Sequence, residues 1–245
     1  MPEELVAVSG ETLSLDRTQG SARAQVLRRW VELCLVLLVA FSNPILRSID
    51  LLNFGPEALA RDESLRWIAG IVHEATALLL LGYVLARRNL NFSRLGLRWS
   101  LRDLGSGAGV TLLSYLAYAL GYRVIHSLQL ALFPLAHSGP SVHQLFGHPP
   151  LVALPYFFMN PFFEELIVRA YLMTEIADLT GSWTLAAVVS IVFQTSYHLY
   201  YGWAGALALS FQFCVFALYY AFTRKATPII FAHGIFDIWG LIRLW

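Results

Sequence analysis

Long apolar stretches separated by short polar segments form the main pattern of this chain, and they predict membrane-spanning helices. A spanning helix needs about 20 mostly apolar residues to cross a hydrocarbon core about 30 Å thick. The stretches that meet this need lie at 30–47, 66–86, 104–126, 149–174, 183–201, 204–223 and 226–245. The pattern therefore predicts an all-α fold, a polytopic membrane helical bundle of about seven transmembrane helices.

The same pattern divides the chain into three parts. Residues 1–22 are polar and contain Gly and Ser, and we expect a disordered cytoplasmic tail there. Residues 23–148 hold the N-terminal transmembrane helices and an outer loop at 127–148. Residues 149–245 hold the remaining helices and form the expected functional core.

Composition supports an integral membrane protein. The chain is 57% hydrophobic and 13% charged, whereas soluble domains are about 25% charged. We therefore expect the lipid bilayer, here a bacterial cytoplasmic membrane, to be a partner. The net charge of +1 gives no sign of nucleic-acid binding.

Basic residues predict the orientation, because Lys and Arg near helix ends favour the cytoplasmic side. They precede the first span and lie between the second and third spans and between the sixth and seventh. With seven spans these positions share one side, so the N-terminus is predicted inside and Trp245 outside. The residues are Arg23, Arg28, Arg29, Arg87, Arg88, Arg94, Arg98, Arg102, Arg224 and Lys225.

Charged side chains inside these apolar stretches are the candidates for chemistry. Glu164 and Glu165 are adjacent in the fourth stretch, and Arg169 follows one turn later. Carrying charge into hydrocarbon costs about 2.5 kcal/mol or more, so such residues are rare. His198 and His233 have comparably apolar surroundings. Carboxylates and imidazoles together within a membrane indicate proton chemistry.

Helical spacing predicts which of these side chains share a face. Glu165 and Arg169 are four residues apart and can form an ion pair, while Glu164 is rotated by about 100° and can face another group. The same spacing of four pairs Gln194 with His198 and His233 with Asp237. Depths estimated from the rise of an α-helix bring Glu164, His198 and His233 to one cavity if the fifth helix tilts or starts late.

The other histidines are expected to be non-catalytic: His73, His126, His137, His143 and His148. His73 with Glu74 could form a second polar contact within the bundle.

Three motifs in order resemble the CAAX-processing and bacteriocin-processing family of intramembrane proteases, known as CPBP or Abi. Glu164-Glu165-Leu166-Ile167-Val168-Arg169 matches the family's EExxxR motif, and His233-Gly234-Ile235-Phe236-Asp237 matches HxxxN or HxxxD. Between them lies FxxxH, in which His198 is present while Gln194 occupies the position of the Phe. The resemblance covers roughly 149–240.

This resemblance implies a membrane endopeptidase related to CAAX prenyl proteases, acting on a membrane-associated protein or peptide. It implies that Glu164 is the general base that activates water, assisted by His198. It further implies that His233 and Asp237 stabilise the oxyanion, and that Glu165 with Arg169 orients the site. We expect a conical polar cavity open to the cytoplasmic side.

Cofactors and alternative functions stay open at this point. The family has been called metalloproteases, and Glu164, His198 and His233 could form a three-ligand zinc site. Catalysis without a bound metal is the favoured reading. The first alternative is a non-hydrolytic immunity or scaffold member that binds a membrane peptide or partner, as Gln194 and Asp237 would favour. The second is a proton-coupled transporter, since buried Glu and His also form proton relays.

Overall fold

The structure is a computed structural model that describes residues 3–55, 63–132 and 141–245. The chain forms two compact units, Met1–Leu35 and Val36–Trp245. The described part of the first unit is the beginning of α1 (Glu3–Phe54), where Arg28 Nε donates to Glu32 Oε1 at 3.0 Å. The second unit contains the rest of α1 and the other helices of the described ranges.

Helices alone make up the regular structure of the described residues, which confirms the predicted all-α fold. A π-helical turn at Glu165–Tyr171 joins α5 directly to α6, and short 3₁₀ turns lie at Phe92–Leu95, Leu151–Ala153 and Leu199–Tyr201. The helices after α1 are α2 (Glu63–Arg87), α3 (Leu101–Leu132), α4 (Val142–Phe146), α5 (Leu154–Glu164), α6 (Leu172–Thr180), α7 (Trp183–Tyr197), α8 (Gly202–Thr223) and α9 (Thr227–Leu244).

Six helical segments within the described ranges are long and apolar enough to cross a membrane, so the polytopic bundle is confirmed. Each predicted span has a helical counterpart, but α7 has only 15 residues. At 1.5 Å per residue it is about 22 Å long, shorter than the hydrocarbon core. The predicted fifth span therefore ends early, at the position of His198.

The first helix is longer than predicted. Its backbone is helical from Glu3, where a disordered tail is predicted, and it continues through Pro44 to Phe54. Contacts on both sides of Pro44 explain this continuity. Phe41 stacks on Tyr197 with ring centroids 4.7 Å apart, and Ser48 Oγ accepts a hydrogen bond from the Tyr200 N–H at 2.8 Å.

The connection between α2 and α3 packs on the connection between α8 and α9. Gly96 has φ +79°, and a Cβ at this position would overlap the Arg224 carbonyl oxygen. The Ala226 N–H donates to Gly96 O at 3.1 Å. Residues 87–102 and 224–226 thus form one end of the second unit, which we call the arginine-rich end.

The opposite end is formed by the segment that precedes α5 and by the end of α9. His148 Nδ1 donates to Leu244 O at 2.7 Å, and Trp245 Nε1 donates to Pro149 O at 2.8 Å. Since α9 runs from Thr227 to Leu244, it links the two ends of the unit.

Candidate active site

The two adjacent glutamates lie where the α5 helix becomes a π-helical turn. Glu164 is the last residue of α5, and Glu165 and Arg169 belong to the turn, in which every residue is buried. The Leu172 N–H bonds to the carbonyl of Ile167, five residues back rather than four. Such turns occur frequently at functional sites, and this one carries the whole charged motif.

Glu164 is held at a single carboxylate oxygen. Its Oε2 accepts hydrogen bonds from Gln194 Nε2 at 2.8 Å and from the Tyr197 hydroxyl at 3.0 Å, both on α7. Among the described residues these are its only hydrogen-bonding partners, which leaves Oε1 without a donor. Glu164 also lines two cavities, so its second oxygen is available to a molecule entering from there.

Arg169 connects the two glutamates to α7. Its side chain is fully buried, and its Nη1 donates to Ser190 Oγ at 2.6 Å while Nη2 donates to Gln194 Oε1. The predicted ion pair with Glu165 is present, with 3.8 Å between Arg169 Nε and Glu165 Oε2. Gln194 therefore accepts from Arg169 and donates to Glu164, so that the amide links the two charged groups.

Glu165 begins a second polar chain that leads to α9. Its Oε1 lies 2.8 Å from His233 Nδ1, and His233 Nε2 lies 3.5 Å from Asp237 Oδ1. Asp237 Oδ2 in turn accepts from Asn160 Nδ2 at 3.2 Å. The predicted pairing of His233 with Asp237 on one helix face is confirmed, with each His233 nitrogen facing a carboxylate.

His198 caps the short helix α7, and its ring is held by aromatic neighbours. Its Nδ1 lies 2.9 Å from the Gln194 carbonyl oxygen. Because a carbonyl can only accept, Nδ1 must carry the hydrogen, and Nε2 of the neutral ring is an acceptor. The ring packs against Phe213 at 4.9 Å and stacks on Tyr201 at 6.3 Å between centroids.

One cavity of about 840 Å³ brings the four predicted catalytic residues together. Glu164, His198, His233 and Asp237 all line it, and its size is typical of a ligand site. The predicted supporting residues do not line the cavity themselves: they are Glu165, Arg169 and Gln194. Glu165 contacts His233, and Gln194 contacts both Glu164 and Arg169. Three further polar side chains of the site were not predicted: Asn160 and Ser190, which belong to no motif, and Tyr197, which precedes His198 within the second motif.

Residues 146–239 match the family model described as type II CAAX prenyl endopeptidase Rce1-like. This confirms the resemblance to that protease family. The matched region is under half of the chain, and it contains every residue of the site described so far. Comparison with curated proteins gave no match, and neither did comparison with solved structures.

Three ligand atoms in the matched region suit a metal ion. Glu164, Glu165 and His233 each offer one such atom, all within 4.8 Å of one another. Carboxylate oxygens and an imidazole nitrogen fit zinc. This set differs from the predicted one, because it contains Glu165 in place of His198.

The cavity extends from the site toward the end opposite the arginine-rich end. No lining residue comes from the first six residues of α9 or the first seven of α3, whereas Arg243, Leu244, Phe146 and Tyr201 all contribute. Between the site and the arginine-rich end, Gly107 packs on Phe231. A Cβ added to Gly107 would lie 2.6 Å from the Phe231 ring. The sequence predicts that the arginines and the cavity mouth share the cytoplasmic side, whereas the lining of the cavity extends away from the arginine-rich end.

Proposed function

We propose that this protein is an intramembrane endopeptidase that hydrolyses a peptide bond of a membrane-associated protein or peptide. The observation that carries the proposal is the carboxylate of Glu164. Gln194 and Tyr197 both donate hydrogen bonds to its Oε2. Glu164 also lines a cavity large enough for a peptide segment. The family match over residues 146–239 supports the same class of reaction.

In the proposed mechanism Glu164 is the general base. A water molecule in the cavity donates to the free Oε1, and Glu164 takes its proton as the oxygen attacks the scissile carbonyl carbon. His198 assists, since its Nε2 can accept from the same water while Nδ1 stays bonded to the Gln194 carbonyl. A positioned base of this kind contributes about 10²–10⁴ in rate.

The oxyanion that forms on the scissile carbonyl requires donors nearby. His233 can supply one from Nε2, whose 3.5 Å separation from Asp237 is longer than a normal hydrogen bond. The Asn160 amide lines the same cavity and can supply another. One such donor is worth about 3–4 kcal/mol of transition-state stabilisation. Asp237 then acts by orienting both donors.

The orientation of the protein decides from which side a substrate reaches this site. We retain the predicted orientation, with the N-terminus and the arginine-rich end in the cytoplasm, because it rests on several separate groups of basic residues. The cavity mouth then lies at the outer face of a bacterial cytoplasmic membrane. The expected substrate is a membrane protein or peptide whose scissile segment reaches the site from that face.

If a metal is bound, Glu164, Glu165 and His233 would hold it. A zinc ion there would supply a bound water of lowered pKa and a Lewis acid for the carbonyl. Our proposal keeps the metal-free reading, in which the two donors at Oε2 orient Glu164 as the base.

The direct experiment is cleavage of membrane-anchored peptides by the purified full-length protein in lipid vesicles, with and without a chelator. We expect defined cleavage products by mass spectrometry and equal rates in both samples. A rate that the chelator abolishes and that added zinc restores would replace the metal-free mechanism with a metal-dependent one. Absence of cleavage across a broad set of peptides that enter the bilayer would contradict the proposed function.

A further inference from the structure

Glu74 is a third carboxyl group at this site, and it lies on α2, outside the region that matches the protease family. The residue is 2% exposed, and its Oε2 has no hydrogen-bond partner within the described part of the chain. Burying a charge without a partner costs far more than burying a neutral carboxyl group. The nearby carboxyl groups of Glu164 and Asp237 have the same sign of charge and add to the cost of ionising Glu74.

Packing of α2 on α5 brings Glu74 to the depth of Glu164. The His73 ring lies 5.9 Å from the Phe163 ring, and a Cβ added to Gly70 would lie 3.0 Å from the Tyr156 ring. Glu74 follows His73 and Glu164 follows Phe163, so this packing brings the two glutamates close enough to line one cavity.

A second cavity, of about 250 Å³, is lined both by Glu74 and by residues of the candidate active site. Glu74 and Glu164 both line it, together with Asn160 and Tyr156. Glu164, Asn160 and Tyr156 also line the larger cavity. The two cavities therefore share part of their lining, including Glu164, and Glu74 lines the smaller one from α2.

The neighbouring polar residue of α2 already has a structural role. His73 Nε2 donates to the Ala40 carbonyl at 2.7 Å and so ties α2 to α1. The Glu74 carboxyl group bonds to the Tyr156 side chain, but its Oε2 has no partner among the described residues, whereas buried polar atoms are usually satisfied. This contrast favours a role for Glu74 in the reaction.

We propose that Glu74 is the general acid of the reaction and protonates the leaving nitrogen while Glu164 accepts the proton of the attacking water. The hydroxide part of the water forms the new bond to the carbonyl carbon, and the carbon–nitrogen bond breaks as nitrogen takes the proton of Glu74. The proton on Glu164 then returns to Glu74, which restores both groups. This role rests on the proposed endopeptidase function.

A matched pair of substrates tests this role. One is a membrane-anchored peptide with an amide at the scissile bond, and the other is the same peptide with a thioester at that position. An amine must be protonated to leave, whereas a thiolate leaves without a proton because thiol pKa values lie near 8.5. We expect Glu74→Gln to lose about 10²-fold or more on the amide and about threefold or less on the thioester. Glu164→Gln should lose activity on both.

Thr76→Ala, an exposed change on the same helix, is the control and should leave both rates unchanged. Wild-type cleavage of the amide by Glu74→Gln would overturn the role of Glu74. An equal loss on amide and thioester would also overturn it, because it would indicate a structural effect. A wild-type protein that cleaves neither substrate would overturn the endopeptidase function itself, and the role of Glu74 with it.

Discussion

Glu164→Gln is expected to lower the rate of peptide cleavage by about 10³-fold, within the 10²–10⁴ range of a lost general base. The amide keeps an oxygen that can accept from Gln194 and Tyr197, which now bond to Glu164 Oε2. The fold should therefore be retained, while the proton acceptor at Oε1 is lost. The measurement is the initial rate of cleavage in vesicles, together with the thermal unfolding midpoint of each protein.

Glu32→Gln is a matched control for this prediction. It makes the same chemical change at a buried glutamate of the first unit, where Glu32 accepts from Arg28. Cleavage by Glu32→Gln should equal that of the wild type. If Glu164→Gln cleaves as fast as Glu32→Gln, Glu164 is not the base, and the first alternative, a non-hydrolytic binding protein, gains support.

Arg169→Leu is expected to have the largest effect on stability, a loss of about 3–5 kcal/mol in the free energy of unfolding. The guanidinium is fully buried and contacts Ser190, Gln194 and Glu165. Its removal leaves Glu165 Oε2 without its ion-pair partner and the Gln194 carbonyl oxygen without a donor. For a chain of this size the unfolding midpoint should fall by about 10 °C, which a thermal scan in detergent or lipid measures.

Two companion variants sharpen this prediction. Arg169→Lys keeps the charge, but an ammonium group cannot reach three partners at once as the planar guanidinium does. Its stability should therefore lie between those of the wild type and Arg169→Leu. Lys225→Ala removes a half-exposed cation that pairs with Asp103 at 2.8 Å, and exposed pairs contribute little. If Arg169→Leu unfolds at the same temperature as Lys225→Ala, the buried network does not stabilise the fold.

The motifs and their helical spacing predicted four of the polar side chains that line the cavity. Glu165 and Arg169 pair as expected, and His233 and Asp237 share a face. These contacts depend on short distances along one chain segment, where helical geometry decides which side chains meet. Spacing along one helix therefore predicted the pairs of side chains that meet within a single segment.

Contacts between helices were harder to predict. Tyr197, Ser190 and Asn160 complete the hydrogen bonds of Glu164, Arg169 and Asp237 from other helices. In the sequence nothing distinguishes them from the other polar residues of these stretches, and only tertiary packing selects their partners. Gln194 is similar: its departure from the family pattern looks unfavourable alone, but its amide bonds both Arg169 and Glu164.

The direction of the cavity also depended on tertiary structure. Depth along each helix predicted a common cavity, but the early end of α7 and the contact of Gly107 with Phe231 arise from packing between helices. Neither feature has a sequence signal that a single chain reveals. Positive charges predict orientation by an independent rule, which is why the two predictions could conflict.

The most direct measurement is the reactivity of Glu164→Cys toward a membrane-impermeant thiol reagent added to each face of the vesicle in turn. Cys34 and Cys214, the two cysteines of the chain, would first be replaced by Ser. Lys225→Cys marks the arginine-rich end, and Val168→Cys, which is fully buried in the same π-helical turn, is the unreactive control. Glu164→Cys is expected to react only from the face opposite Lys225→Cys. Reaction from neither face, or from the Lys225 face, would contradict this prediction.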